Sequence, residues 1–178
     1  MSSRPKKELR IVEKGDTYYI VEGDRESILT LHDQGIGDKV SDTRLKVSPI
    51  ELAYLTTRFK ILDKGSEISI SDVLKDVNDI LKLIVYVDLR KRGYNVKITP
   101  DNSPIDLLVW EKGKRPSKTQ PRYAIKIVTE GLGIRALDLS SILKYCESMG
   151  LQLVLALLSN DGVVTYYKAF SLKDLRAL

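Results

Sequence analysis

Asp106 in PIDLLVW and Lys126 in YAIKIV are the side chains whose types and spacing come nearest to phosphodiester chemistry. Each lies in a short apolar segment of strand type. A carboxylate on one strand, with a carboxylate-x-lysine on the next, would hold magnesium and steady the attacking water. The middle position of that pattern is Ala124. Magnesium would then keep one protein carboxylate and otherwise carbonyls, which is a weak site. Between the two segments runs WEKGKRPSKTQPR, where Lys112, Lys114, Arg115, Lys118 and Arg122 crowd together without a histidine. Such a loop suits either contact with phosphates or a solvated basic face.

The other chemically versatile residues are isolated. Cys146 is the only cysteine, so it forms no internal disulfide, and a zinc site needs about four Cys or His ligands. Its place in SILKYCESMG, at helical spacing with Ile142 and Met149, reads as a buried, inert thiol. His32, the only histidine, sits among turn-forming residues in TLHDQGIGD with no second ligand beside it. Neither a metal nor another cofactor is expected.

Periodicity supplies the elements that must hold these residues. LRIVEKG and TYYIVEG alternate as short strands joined at Gly15-Asp16, and SILTLHDQGIGD extends the meander into a Gly-rich turn. Ser48 caps a helix with Pro49 at its first position and Glu51 completing a capping box, and Leu52, Leu55 and Phe59 form one stripe. Lys64-Gly65-Ser66 marks a turn. Ser71 then caps one long helix, SDVLKDVNDILKLIVYVDLRKRG, with Val73, Val77, Ile80, Leu81, Ile84 and Val87 as its apolar face and Gly93 as its stop.

After Gly93 the period changes. Strands YNVKIT, IDLLVWE and RYAIKIVT are followed by a helix, ALDLSSILKYCESMG, that ends at Gly150. LQLVLALLS and VVTYYKAFS then flank Asn160-Asp161-Gly162, a strong hairpin signal. The nearly continuous LVLALL reads as a strand covered on both faces. The expected fold class is α/β of the α+β kind: a small mixed N-terminal domain over 1–80 and a C-terminal αβββαββ nuclease-like domain over 81–178.

Composition agrees with a globular chain: of 178 residues, 43% are hydrophobic and 30% charged. No apolar run is long enough to cross a membrane, and MSSRPKKELR lacks an apolar signal core, so a cytoplasmic protein is expected. Lys and Arg total 29 against 24 Asp and Glu, a net charge of +5 that suits a nucleic-acid partner.

The run YVDLRKRGYNVKIT, a strand ending in an aromatic at VWEKG, a short loop, YAIKIV, a helix and LVLALLSNDGVVTYY together resemble the C-terminal nuclease domain of the archaeal tRNA-splicing (tRNA-intron) endonuclease family. GDRESILTLHDQGIGD and SPIELAYLTTR are similar to that family's N-terminal domain, so the likeness covers nearly the whole chain. The resemblance implies metal-free cleavage of bulge-helix-bulge introns in precursor tRNA by a Tyr, His and Lys triad, leaving a 2',3'-cyclic phosphate. Matched onto this sequence, the triad falls on Trp110, Gln120 and Leu151, or on Gln152 with a slip of one residue. None of these can act: an indole has no phenolic oxygen, a carboxamide is no general acid, and Leu and Gln carry no charge.

By this resemblance the chain is expected to be a structural, catalytically inactive subunit that pairs with a catalytic one in a heterotetramer, two of each. The turn with Asn160 and Asp161 would dock into a neighbouring subunit, and the last strand, with Tyr166 and Tyr167, would pair across an interface. Trp110 would pack the sheet edge or stack on an RNA base. Lys112, Lys114, Arg115, Lys118 and Arg122 are RNA-binding candidates. Two other readings stand beside this one: a metal-dependent nuclease of the restriction-enzyme type using Asp106 and Lys126, and a stand-alone RNA-binding module. A displaced triad would borrow Tyr123, Lys118 or Lys144.

Overall fold

The computed structural model of the chain describes residues 6–74 and 76–171. It divides into two compact units, 1–83 and 84–178. The division falls inside a helix.

In the first unit, β1 (Glu8–Lys14) pairs antiparallel with β2 (Tyr19–Glu22). The segment expected to continue this meander is instead helix α1 (Arg25–Asp33). Asp24 caps it, its carboxylate accepting from the Ser27 N–H at 2.9 Å and the Ser27 hydroxyl at 2.6 Å, while Ile28 and Leu31 face the core. That cap, followed by apolar residues three apart, is a helix signal that the Gly-rich turn behind it obscures. His32 therefore lies in the last turn of a helix rather than among turns.

Strands β3 (Asp38–Ser41) and β4 (Arg44–Val47) lead to α2 (Pro49–Thr56), which starts at the expected cap but stops at its C-cap Thr57, so Phe59 joins the core from beyond the helix rather than from its stripe. Ser48 Oγ accepts from the Glu51 N–H at 3.2 Å, and Glu51 Oε2 accepts from the Ser48 N–H at 2.9 Å. The other oxygen of this buried carboxylate accepts from the Gly37 N–H at 3.0 Å, so the cap also fastens the preceding loop. Strands β5 (Lys60–Asp63) and β6 (Ser66–Glu67) meet at the expected Lys64-Gly65 turn, where both residues take positive φ. The sheet order is β3-β4-β2-β1-β5-β6, with β1 and β5 parallel. Leu9, Val21, Ile28, Leu31, Leu52, Leu55 and Ile61 make up much of its core.

The single helix expected from Ser71 to Gly93 is two. Helix α3 (Ile70–Val73) has Ser69 as its cap, and Leu74 turns extended before α4 (Val77–Lys91) begins. Lys75, within the expected helix, lies outside the described residues. The buried positions of α4 are Leu83, Val85, Tyr86 and Leu89, whereas Val77 and Ile80 are exposed. Apolar residues surround this helix on more than one face, so three- and four-residue spacing alone picked a different stripe. Gly93 does end it: at φ 88° it lets the Tyr94 N–H reach the Leu89 carbonyl.

In the second unit the order of elements is the expected αβββαββ. After α4 come β7 (Val96–Ile98), β8 (Leu107–Val109), β9 (Tyr123–Thr129), α5 (Ala136–Ser148), β10 (Gln152–Leu158) and β11 (Val164–Ala169). The sheet order is β11-β10-β9-β8-β7, with β9 and β10 parallel and the other neighbours antiparallel. The crossover helix α5 lays Ile142 and Cys146 on Ala124 and Leu153. LVLALL is thus an inner strand, and its faces are covered as its apolar character predicts except at Leu157, which is exposed.

Candidate active site

Trp110 follows β8 directly and donates its backbone N–H to the Asn95 carbonyl at 3.0 Å. The chain then leaves the sheet and returns at Arg122, whose N–H donates to the Val109 carbonyl at 2.9 Å. This closure sets Gln120 at the returning end of the loop. On the neighbouring strand, Gly150 ends α5 at φ 68°, the Leu151 N–H donates to the Cys146 carbonyl at 2.9 Å, and Gln152 pairs opposite Tyr123. Leu151 is thereby carried to the mouth of the same loop.

Trp110, Gln120 and Leu151 line one open depression of about 810 Å³, together with Asn102, Ser103, Tyr145 and Met149 among others. Its lining holds no Asp, Glu, His, Lys or Arg. Gln152 turns away, its amide donating to the Ala169 carbonyl at 2.8 Å, so Leu151 is the residue at the third position of the depression. The Trp110 indole is 5% exposed and donates through Nε1 to the Thr119 carbonyl at 2.8 Å. Neither face is open for a base to stack on, which answers in favour of packing. A depression lined this way can accept a ligand and holds one phenol, that of Tyr145, but no imidazole and no charge for a phosphorane.

Tyr123, Lys118 and Lys144 do not line it. Asp106 and Lys126 form an ion pair at 3.3 Å, and Asp106 also accepts from the Ile127 N–H at 2.8 Å. Ala124 between them is fully buried. Among the described residues no group of three or more His, Cys, Asp or Glu side chains converges.

The five cations expected to meet RNA are all exposed on the loop after Trp110. Arg122 lies 4.0 Å from Glu111, across the loop's base. The Lys112 ammonium sits 5.0 Å from the centre of the Tyr94 ring.

The hairpin turn is longer than a two-residue loop. The Ser159 N–H donates to the Val163 carbonyl at 3.0 Å, and Gly162 takes φ 82°. Asp161 accepts from the Ser159 hydroxyl, a bond that holds its carboxyl below the usual aspartate range. The Asn160 N–H donates to Glu130 Oε2 at 3.0 Å. Glu130 therefore adds a second carboxylate to a turn whose own sequence holds one.

Tyr166 and Tyr167 point to opposite faces of β11. Tyr166 donates its hydroxyl to Asp88 on α4 at 2.7 Å, with the Arg92 guanidinium 5.4 Å over its ring. Burial, and then the Asp88 carboxylate, raise its phenol well above the ordinary tyrosine value. Tyr167 is 54% exposed. Only Tyr167 presents its ring outward, while Tyr166 is committed within the unit. Among the described residues β11 has β10 as its one sheet neighbour, so its other edge is open.

Asn95, Thr119, Glu130 and Asp88 were not legible as site residues. None belongs to a periodic or motif pattern, and each matters through a contact distant in sequence.

The chain is similar to known proteins of one family. Residues 79–166 match the family model described as tRNA intron endonuclease, catalytic C-terminal domain. The chain is 32% identical to a tRNA-splicing endonuclease of Methanothermobacter thermautotrophicus over 142 residues, covering 77% of this chain and 83% of that one. It is 32% identical to one of Pyrococcus furiosus over 163 residues, covering 86% and 91%. To one of Methanococcus vannielii it is 26% identical over 181 residues, covering 97% and 99%.

Proposed function

The chain belongs to the tRNA-splicing endonuclease family, and from that premise we propose that it is a structural, catalytically inactive subunit of such an enzyme. In this reading it assembles with a catalytic subunit, two of each, around a precursor tRNA whose bulge-helix-bulge introns the partner cuts without metal. The observation that carries the proposal is the depression at Trp110, Gln120 and Leu151. The loop and the parallel β9-β10 register still bring these three positions together, yet their side chains supply no base, acid or cation.

Two further features support assembly. The open edge of β11 offers unpaired backbone groups that a second strand would satisfy, and the exposed ring of Tyr167 suits an interface, having an apolar body and a polar tip. The turn at Asn160 and Asp161, with Glu130 beside it, presents two carboxylates to a basic pocket on a neighbour. Cytoplasmic location fits RNA processing; no helix among the described residues is long and apolar enough to cross a membrane.

The deciding experiment is cleavage of a bulge-helix-bulge RNA in EDTA by the purified chain alone and by the chain mixed with its catalytic subunit. Cleavage only in the mixture, with a 2',3'-cyclic phosphate product, is the expected result. Cleavage by the chain alone would overturn the proposal.

A further inference from the structure

We propose that residues 111–121 form a pre-ordered platform for the phosphodiester backbone of RNA, and that Trp110 is the positioning residue that holds it. The inference rests on the reading that this chain meets precursor tRNA as part of an endonuclease. It adds a role for the residue that stands where catalysis would need a phenol.

The loop is ordered from its own backbone. Asn95 donates its amide to the Lys114 carbonyl at 2.8 Å, tying the outgoing limb to the start of β7. The Trp110 indole donates to the Thr119 carbonyl at 2.8 Å, tying the returning limb to the end of β8. Between these ties, the Lys118 and Thr119 N–H groups both reach the Arg115 carbonyl at 3.0 Å, and the Lys114 N–H reaches the Glu111 carbonyl at 3.0 Å. Gly113 supplies the positive φ of 78° that the first turn requires. A compact loop packed on its own groups in this way loses less entropy on binding than a mobile one.

Its charge is one-sided. From Trp110 to Arg122 there are five cations and one carboxylate, Glu111, which lies beside Arg122. Lys112, Lys114, Arg115 and Lys118 remain exposed on the loop, and Lys112, Lys114 and Lys118 form no ion pair among the described residues.

RNA fits this surface better than an acidic protein does. Protein interfaces are anchored by large apolar or aromatic side chains in desolvated pockets, and the loop's one large ring, Trp110, is buried beneath it. What the loop exposes besides cations is Ser117, Thr119 and Gln120, neutral hydrogen-bonding groups of the kind that contact phosphate oxygens.

The test is equilibrium binding of a labelled bulge-helix-bulge RNA to the full chain over a range of salt. Four variants are compared: Lys112, Lys114, Arg115 and Lys118 together changed to Ala; Trp110→Phe, which keeps a ring and removes the N–H; Asn95→Ala, which removes the other tie; and Lys60→Ala as a charge control outside the loop. The fourfold variant should lose at least about tenfold in affinity, and its slope of log affinity against log salt should flatten by about 2.8 to 3.6, since each phosphate contact contributes about 0.7 to 0.9. Trp110→Phe and Asn95→Ala should each lose about threefold or more and flatten the slope by about one, with all four charges still present. Lys60→Ala should lose less than about twofold.

A fourfold variant with the affinity and slope of the parent would overturn the platform. If that variant falls but both tie variants match the parent, the positioning role is overturned. If RNA binding is unchanged while the fourfold variant stops co-eluting with the catalytic subunit, the surface meets protein instead, and the inference fails. Cleavage by the chain alone would sink the structural-subunit reading without altering any of these slopes, so the two failures are told apart.

Discussion

Trp110 ties the end of β8 to the returning limb of the loop that follows it. The indole nitrogen is a donor only, and its bond to Thr119 consumes that donor. Gln120 and Leu151, by contrast, contribute shape and little else to the depression. Gln120→Ala in the assembled enzyme should therefore leave the cleavage rate within about twofold, because no proton transfer depends on it; a loss of a hundredfold would return Gln120 to the chemistry. Cys146 is a residue whose inertness has a physical cause. Burial pushes its thiol up to about 11, so at about pH 8 only on the order of one molecule in a thousand is thiolate. Native protein should resist iodoacetamide at that pH and react fully in denaturant. Because the folded thiol ionises later than the unfolded one, its share of stability is complete at neutral pH and is lost as pH rises toward 11.

Helix α2 and its cap tie local pattern to packing. Glu51 satisfies the Ser48 N–H and, with its other oxygen, the buried Gly37 N–H, so Glu51→Ala strands two donors. The expected cost is about 2–4 kcal/mol, read from urea unfolding, the sum of a lost cap and an unsatisfied buried group. The glycines separate conformational strain from collision. Gly150 ends α5 at φ 68° with nothing within 4 Å of an added methyl, so Gly150→Ala should cost about 1–2 kcal/mol for the left-handed backbone alone. At Gly37, φ is 67° and an added Cβ would lie 2.7 Å from the Lys46 carbonyl oxygen. Gly37→Ala should be clearly the worse of the two by the same unfolding measurement, and equal costs would argue against the collision. The capping box of α2 was readable because all its partners lie within three residues. The break between α3 and α4 was not, since Leu74 turns extended within a run whose spacing alone fits one continuous helix.

The proposed assembly belongs to the molecule as a whole and would carry its own pH signature. The bond from Ser159 keeps Asp161 ionised below the usual aspartate range, so a docking contact that needs its charge is present at neutral pH and lost only as pH falls through that lowered value. Sedimentation of the mixed subunits should show no change on this account between about pH 5 and pH 8. Asp161→Lys should abolish the heterotetramer while leaving the subunit folded, and Glu130→Lys should weaken it. An unchanged tetramer with Asp161→Lys would show that the turn does not dock.

The order of elements in the second unit, the inner position of β10, the ends of α4 and α5 at Gly93 and Gly150 and the lack of a phenol, imidazole or amine at positions 110, 120 and 151 could all be read from the chain. These depend on residues close together in sequence, or on side-chain types that forbid a chemistry wherever they sit. Folding was needed to bring Trp110, Gln120 and Leu151 to one depression, to bury the indole, to turn Tyr166 inward onto Asp88 and to set Glu130 beside Asn160. Each of those facts is a contact between segments 10 to 78 residues apart. Sheet register and crossover packing decide such contacts, and no local pattern encodes them.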